Sequence, residues 1–329
     1  MKSNKFDLRA SFKYSIIIPA LLVLTAIVIG AIFGFNLDYD FRATQSFNVK
    51  FNTTVTEVEY DLLEEKLNSM VGAEFEDFRL ERIGEGAQNG IVVKIADSDA
   101  KLDSLKEKVE DELINGITLD SAVVIRCEST NLDTSTNYVN TICWAIGGVA
   151  FILLFTFIYV FIRYNLASAI SMISSITLGV LTLLSIIILA RIPFNQFTIL
   201  SVFLTVFLTV LGSMYINNHI KETLNMEKYN KFSNSDRVNV ALSKSFKNLL
   251  YIHIGLMISI LAIMFVGNLS LIYLSIACLV AIVVSFAMSI VFNTSIWALI
   301  YKKERDFILR RRIEKQNKPS ENSEEKIVV

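Results

Sequence analysis

The chain has 329 residues, is 53% hydrophobic and carries a formal net charge of −1. Its mean hydropathy of +0.50 excludes an ordinary soluble globular domain. The near-neutral total conceals a division: residues 36–139 hold 22 Asp/Glu against 10 Lys/Arg, and the remainder holds 10 against 21, so an acidic soluble domain is joined to a basic membrane body.

The first predicted element is an apolar run over 14–35. It is longer than the core of a secretory signal and is followed by no small-residue cleavage site, so it reads as a membrane span. Segment 44–52 (TQSFNVKFN) alternates polar and apolar residues, a strand pattern. Segment 55–70 sets Val58, Leu62, Leu63 and Leu67 at helical spacing. A strand is expected over 74–83, then a turn at 84–90 (GEGAQNG) and a strand over 90–96. The turn has no Lys-Ser/Thr pair and stands between two strands, so it is no phosphate loop. Its Asn-Gly pair is a hairpin signal. Segment 97–115 is a second amphipathic helix with Leu102, Leu105, Val109 and Leu113 on one face, and 122–128 (AVVIRCE) is the last strand. The order β-α-β-β-α-β is the ferredoxin-like pattern, two helices over one face of a four-stranded sheet. Asn52-Thr53-Thr54 matches a glycosylation acceptor, a triplet short enough to arise by chance.

Five further spans follow at 142–162, 167–190, 197–216, 249–266 and 271–300. The last is long enough to tilt or to emerge near Asn293. The expected fold is therefore a polytopic α-helical membrane protein with six transmembrane helices and an extracytoplasmic α+β ferredoxin-like domain between helices 1 and 2. Its parts are 1–35 (N-terminus and first span), 36–139 (acidic domain), 140–300 (spans two to six) and 301–329 (a basic, then polar tail, disordered over 315–329). Lys2, Lys5, Arg9 and Lys13 precede the first span. Lys221, Lys228, Lys231, Arg237, Lys244 and Lys247 lie between the fourth and fifth, and Lys302, Lys303, Arg305, Arg310, Arg311 and Arg312 follow the sixth. The positive-inside rule puts all three segments in the cytoplasm and the acidic domain outside, with Arg191 a single exception. Because the basic tail adjoins a span, topology and anionic lipid explain it, and nucleic acid is not an expected partner.

Small and polar residues form stripes: Ser168, Ser171 and Ser175 in the third span, Thr205, Thr209, Gly212 and Ser213 in the fourth, Ser275, Cys278, Ser285 and Ser289 in the sixth. Close helix packing explains them more simply than a water-filled path. Asn217 and Asn218 are adjacent amides at a span end, which seldom face lipid. His219 and His253 are the chain's two histidines. His253, one turn into the fifth span, is a candidate for proton movement. The simpler reading of both is a neutral ring bonded to a neighbouring group. No Asp or Glu occurs between Asp133 and Glu222 or between Asp236 and Glu304, so an intramembrane carboxylate must come from another chain. Cys127, Cys143 and Cys278 are too widely spaced for a disulfide framework or metal site. No Ser-His-Asp, Cys-His or paired-carboxylate arrangement is visible. An enzyme is not expected, nor a cofactor or a metal.

One span, an outer ferredoxin-like domain and five spans resemble the SecF family of protein-export membrane subunits, within the resistance-nodulation-division superfamily. Segment 36–44 (NLDYDFRAT) resembles the family's Gly-Ile-Asp-Phe-x-Gly-Gly element: Asp40 and Phe41 match, while Ala43 and Thr44 replace the glycines. Segment 193–224 resembles the family's fourth span and its Phe-Asp-Arg-Ile-Arg-Glu end. There Phe194, Leu204, Ile220 and Glu222 fit, Lys221 keeps an Arg charge, and Asn218 and His219 replace Asp-Arg. Segment 238–250 resembles the entry to the fifth span through Asn239 and Leu242. Two departures bear on mechanism. Leu211-Gly212-Ser213 stands where the family has Asn-Asp-Thr, and Asn248, beside Lys247, stands where it has Arg.

The resemblance implies a SecF-like auxiliary subunit in the cytoplasmic membrane of a bacterium. It would pair with a SecD-like subunit beside the SecYEG translocon, contact membrane lipid, and draw a translocating preprotein outward at the expense of the proton gradient. With the coupling Asp and Arg missing, either the partner supplies every titrating group or this chain is a structural half. The alternative is a small-molecule or lipid transporter of the same superfamily.

Overall fold

The computed structural model describes residues 8–38, 41, 45–51, 57–83, 90–95, 107–109, 111, 125–130, 134–227, 233–266, 269–301 and 303. The chain divides into two compact units: Asn36–Ala145 with Pro193–Gln196, and Met1–Phe35 with Ile146–Ile192 and Phe197–Val329.

The first unit is α+β. Strand β1 is Gln45–Phe51, helix α2 Glu57–Gly72, β2 Phe78–Ile83, β3 Gly90–Ile95 and β4 Ile125–Thr130; helix α1 belongs to the other unit. Residues 107–109 and 111 are helical between β3 and β4. The sheet order is β2-β3-β1-β4 with every neighbouring pair antiparallel, the ferredoxin-like arrangement that the order of elements predicts. Register follows from alternation. Phe47 lies opposite Val93 and Val49 opposite Ile91, so one face of the sheet is apolar. Tyr60, Leu63, Leu67 and Val71 of α2, together with Val109, complete a buried core on that face.

Three expectations shift. Leu62 is 52% exposed, because the inner stripe of α2 runs through Tyr60 instead. The Tyr60 ring is buried and its Oη donates to the Gly90 carbonyl at 2.7 Å. The strand expected from 74 begins at Phe78, since the amides of Glu74 and Phe75 both donate to Val71 O and close the helix end. The last strand runs through Ile125–Thr130, past the end expected at 128, and the start expected at 122 lies outside the described residues. Gly90 is required by contact: a Cβ there would lie 2.7 Å from Val49 O across the ladder.

The second unit is helical. Its elements are α1 (Leu8–Phe33), α3 (Thr134–Arg163, in this unit from Ile146), α4 (Leu166–Leu189), α5 (Gln196–Asn225, in this unit from Phe197), α6 (Asn234–Val266) and α7 (Leu269–Ala287), which passes through a π turn at Met288–Phe292. All six contain a stretch long and apolar enough to cross a membrane. The sixth such stretch runs Leu271–Tyr301, so the helix continues past Asn293. The extra residue of the π turn absorbs the irregularity there. Helix α6 begins well before 249 because Val238, Ala241, Leu242 and Ser245 are buried on one face of its polar first half, a pattern that mean hydropathy averages away. Helix α4 packs on α1 and α7, and α6 on α7. The spans of α5 and α7 are each 56% buried, against 11%, 6% and 11% for α1, α3 and α6.

Arg191, the exception to the charge rule, has a local cause. Helix α4 ends with Ile192 N on Ile187 O and Arg191 N on Ile188 O, with Arg191 at φ 53: a Schellman close with arginine where glycine is usual. The side chain compensates. Its Nη1 donates to Gly34 O at 2.8 Å, placing a cation on the carbonyl end of α1.

Candidate functional site

The residues singled out by sequence fall into separate environments. On α5, Thr205, Thr209, Ser213 and Asn217 are buried on one face, and Gly212 makes its closest approach there. A Cβ on Gly212 would lie 2.6 Å from Ser289 Oγ on the π turn, and Ser289 Oγ donates to Thr209 O at 3.4 Å. Other hydroxyls of the stripes bond mainly to their own helices. Ser171 and Ser175 donate to Ser168 O and Ser171 O, Thr205 to Ser201 O, Ser275 to Leu271 O and Ser285 to Ile282 O. These hydroxyls are satisfied without water and let the helices approach.

A second set is buried but unsatisfied. Thr209 Oγ1, Ser213 Oγ, both amide atoms of Asn217 and Asn293, Ser295 Oγ and His253 Nε2 have no hydrogen-bond partner among the described residues. Each such group costs about 1–3 kcal/mol unless water or a ligand meets it. Asn217 and Asn218 thus divide: Asn217 is 1% exposed, whereas Asn218 is on the exposed face of α5.

His219 is half-buried, its Nδ1 2.9 Å from Glu222 Oε2 and its ring edge-on to Tyr215 at 4.9 Å. Lys247 is exposed, and Asn248 Nδ2 donates to the Tyr215 hydroxyl at 2.7 Å. His253 is buried with Nδ1 2.8 Å from Leu249 O. A carbonyl only accepts, so that nitrogen carries the proton. Phe286 covers the ring at 5.0 Å. The fully buried polar side chains of the helical unit are, among the described residues, hydroxyls, amides and His253.

Of the post-helix-1 pair, Asp40 lies outside the described residues. Phe41 is buried, its amide on Asp38 O at 2.9 Å and its ring 6.0 Å from Phe194. The buried carboxylate of this segment is Asp38, which sequence reasoning passed over. Asp38 accepts from Arg79 Nη1 at 3.0 Å and from Asn195 Nδ2 at 3.1 Å. Leu37 bridges in parallel to Phe194, so 36–38 and Phe41 are laced to 193–195. Asn293 and Ser295 were also missed. The Asn-Thr-Ser run at 293–295 inside an apolar span was the signal for them.

Comparison with known proteins agrees with this architecture. The family model "Protein export membrane protein SecD/SecF, C-terminal" matches residues 113–303. Among solved structures, SecDF in a super-membrane-facing form is similar at a TM-score of 0.66 and 17% identity, covering 94% of this chain and 41% of that one. SecDF from Thermus thermophilus, a translocon-associated membrane protein, is similar at 0.62 and 20%, covering 91% of this chain and 39% of that one. The chain thus spans about two fifths of the length of those SecDF chains. At these identities the likeness is one of fold. No curated protein matches the chain. With more than half of its residues matched to the family model, the chain belongs to the SecD/SecF family of protein-export membrane proteins.

Proposed function

We propose that this chain is a SecF-like auxiliary subunit of protein export in the bacterial cytoplasmic membrane, paired with a SecD-like subunit beside SecYEG. Its acidic unit stands outside and its termini are in the cytoplasm. The observation that carries the reading is the family match over 113–303 on a fold covering nearly all of this chain but two fifths of a SecDF chain. The slight burial of α1, α3 and α6 leaves apolar surface for a partner and for lipid. The proton gradient drives the cycle through groups that the partner supplies, because the spans of this chain hold no carboxylate between Asp133 and Glu222 or between Asp236 and Glu304.

The test is to purify the chain from its native membrane in mild detergent and identify what accompanies it. A SecD-like protein with translocon subunits is the expected result. A stable preparation without them, above all a self-associated one carrying lipid or drug, overturns the reading and puts a small-molecule or lipid transporter first.

A further inference from the structure

A cavity of about 310 Å³ opens at the end of the helical unit where α3 leads into α4 and α5 leads towards α6; its walls include Asn165, Asn217, Lys221, Arg237, Trp297 and Tyr301. This volume lies at the lower end of the range for small-molecule sites, roughly 300–1,000 Å³. Two of the lining residues are cations, and no Asp or Glu is among the described residues that line it. Of the carboxylates adjacent to the two cations in sequence, Glu222 is held by His219 at 2.9 Å and Asp236 by the Ser233 hydroxyl at 2.6 Å. Lys221 Nζ donates to Arg163 O at 2.9 Å, one of the three bonds an ammonium can give. Asn165 caps α4 by accepting from Ser168 N at 2.7 Å, so the positive end of a long helix faces the same space.

Asn217 is the independent observation. It is 1% exposed, neither amide atom has a partner among the described residues, and it lines the cavity. A buried NH₂ left unmet beside two cations is the donor set of an anion site. Ile220 and Leu224 give the cavity an apolar wall, and the Trp297 and Tyr301 rings stack at 4.5 Å.

We propose that this cavity binds a phosphate group, that of an anionic phospholipid headgroup. Lys221 acts as the point charge and Asn217 as the neutral donor at the floor, with Arg237 adding positive charge to the wall. A basic pocket between spans at one end of a bundle lies at headgroup depth, where anionic lipid is the abundant phosphate.

The chain has 2 tryptophans, so W144F leaves Trp297 as a fluorescent reporter in the cavity wall. Full-length protein in detergent is titrated with short-chain phosphatidylglycerol, short-chain phosphatidylcholine and inorganic phosphate. The expected result is a saturable change in Trp297 emission with phosphatidylglycerol at the lowest concentration. K221Q and N217A should each weaken it about tenfold, the share of one charge-assisted hydrogen bond. K221R should restore most of it, and serves as the readout if K221Q fails to fold. Saturation by inorganic phosphate at equal or lower concentration keeps the phosphate site but assigns it to a soluble source. No saturable response to either, or affinities unchanged in K221Q and N217A, overturns the proposal.

Discussion

Gly212 offers the sharpest test of how α5 meets the π turn of α7. A methyl there would stand 2.6 Å from Ser289 Oγ, 2.9 Å from Ser289 Cβ and 3.9 Å from Leu249 Cδ2. The hydroxyl can rotate away by giving up its contact with Thr209 O. The Cβ cannot move unless the backbone of the π turn moves with it. Forcing a methyl into such a contact costs about 1–3 kcal/mol, and alanine regains about 1 kcal/mol over glycine in a helix. G212A is therefore expected to lose about 1 kcal/mol net. Gly255 is the control, because nothing lies within 4 Å of a Cβ built there; G255A should be neutral or gain up to about 1 kcal/mol. The penalty of G212A should fall in an S289A background, which removes only the 2.6 Å contact, and fall further in S289G, which removes both. Denaturant unfolding in detergent, followed by tryptophan emission, measures each corner of the cycle. A G212A protein as stabilised as G255A, or a penalty unchanged in S289G, refutes the packing argument.

Three predictions concern the α+β unit. D38N should destabilise it by about 1.5–3 kcal/mol, the worth of hydrogen bonds to a charged group; hydrogen exchange on β1 to β4 of the full chain reads this. The D38L/R79M pair should recover part of the loss, whereas equal losses refute the pairing. Y60F removes the bond to Gly90 O and should cost about 0.5–1.5 kcal/mol. Burial pushes the Tyr60 phenol above its ordinary range, against the pull of Arg82. The protonated form is thus the one the fold favours. Its contribution is complete below pH about 10 and is lost as pH rises through the raised folded value. Wild type should lose alkaline stability that Y60F does not. Arg82 bonds Asp61 at 2.6 Å and Glu64 at 2.7 Å in an exposed network, so R82A should cost less than about 1 kcal/mol and less still in high salt. A loss of several kcal/mol would show that the network is not governed by solvent.

What the sequence made legible follows from how each signal is carried. The β-α-β-β-α-β order was readable because period-two strands such as 45–51 and the period-3.6 helix at 57–72 each bury one face of a single core. Leu62 fits the helical spacing of Leu63 and Leu67, but the buried stripe runs through Tyr60, whose ring is buried and whose hydroxyl alone needs a partner. The early start of α6 escaped because its first half is amphipathic. Asp38 escaped because its partners, Arg79 and Asn195, lie 41 and 157 residues away along the chain, and no local pattern encodes such a pairing. Asn293 is a place where a long sixth span could emerge, the alternative being tilt; here the side chain is buried just past the π turn. The cavity beside Asn217 drew on residues of α4, α5, α6 and α7, and its charge was legible only as part of a loop that also sets topology.

If the proton gradient drives this chain as proposed, the lack of Asp and Glu between Asp133 and Glu222 and between Asp236 and Glu304 limits where it can act. A unit charge crossing 100 mV gains about 2.3 kcal/mol, but a neutral hydroxyl or amide cannot take up that energy. Among the buried polar residues of the helical unit, the titratable ring is His253. Its Nδ1 proton is committed to Leu249 O and its ring packs edge-to-face with Phe286, while Nε2 is buried without a partner among the described residues. H253Q separates packing from proton transfer. Glutamine can still donate to Leu249 O and nearly fills the site, but it cannot carry a proton. If the partner chain supplies the titrating groups, H253Q should leave export of a reporter preprotein near the wild-type rate and unfolding within about 1 kcal/mol of it. A large loss of export with unchanged stability, and with the pH dependence of the residual rate removed, would place the coupling on this chain instead. The unpaired Nε2 would then be the port through which the proton enters.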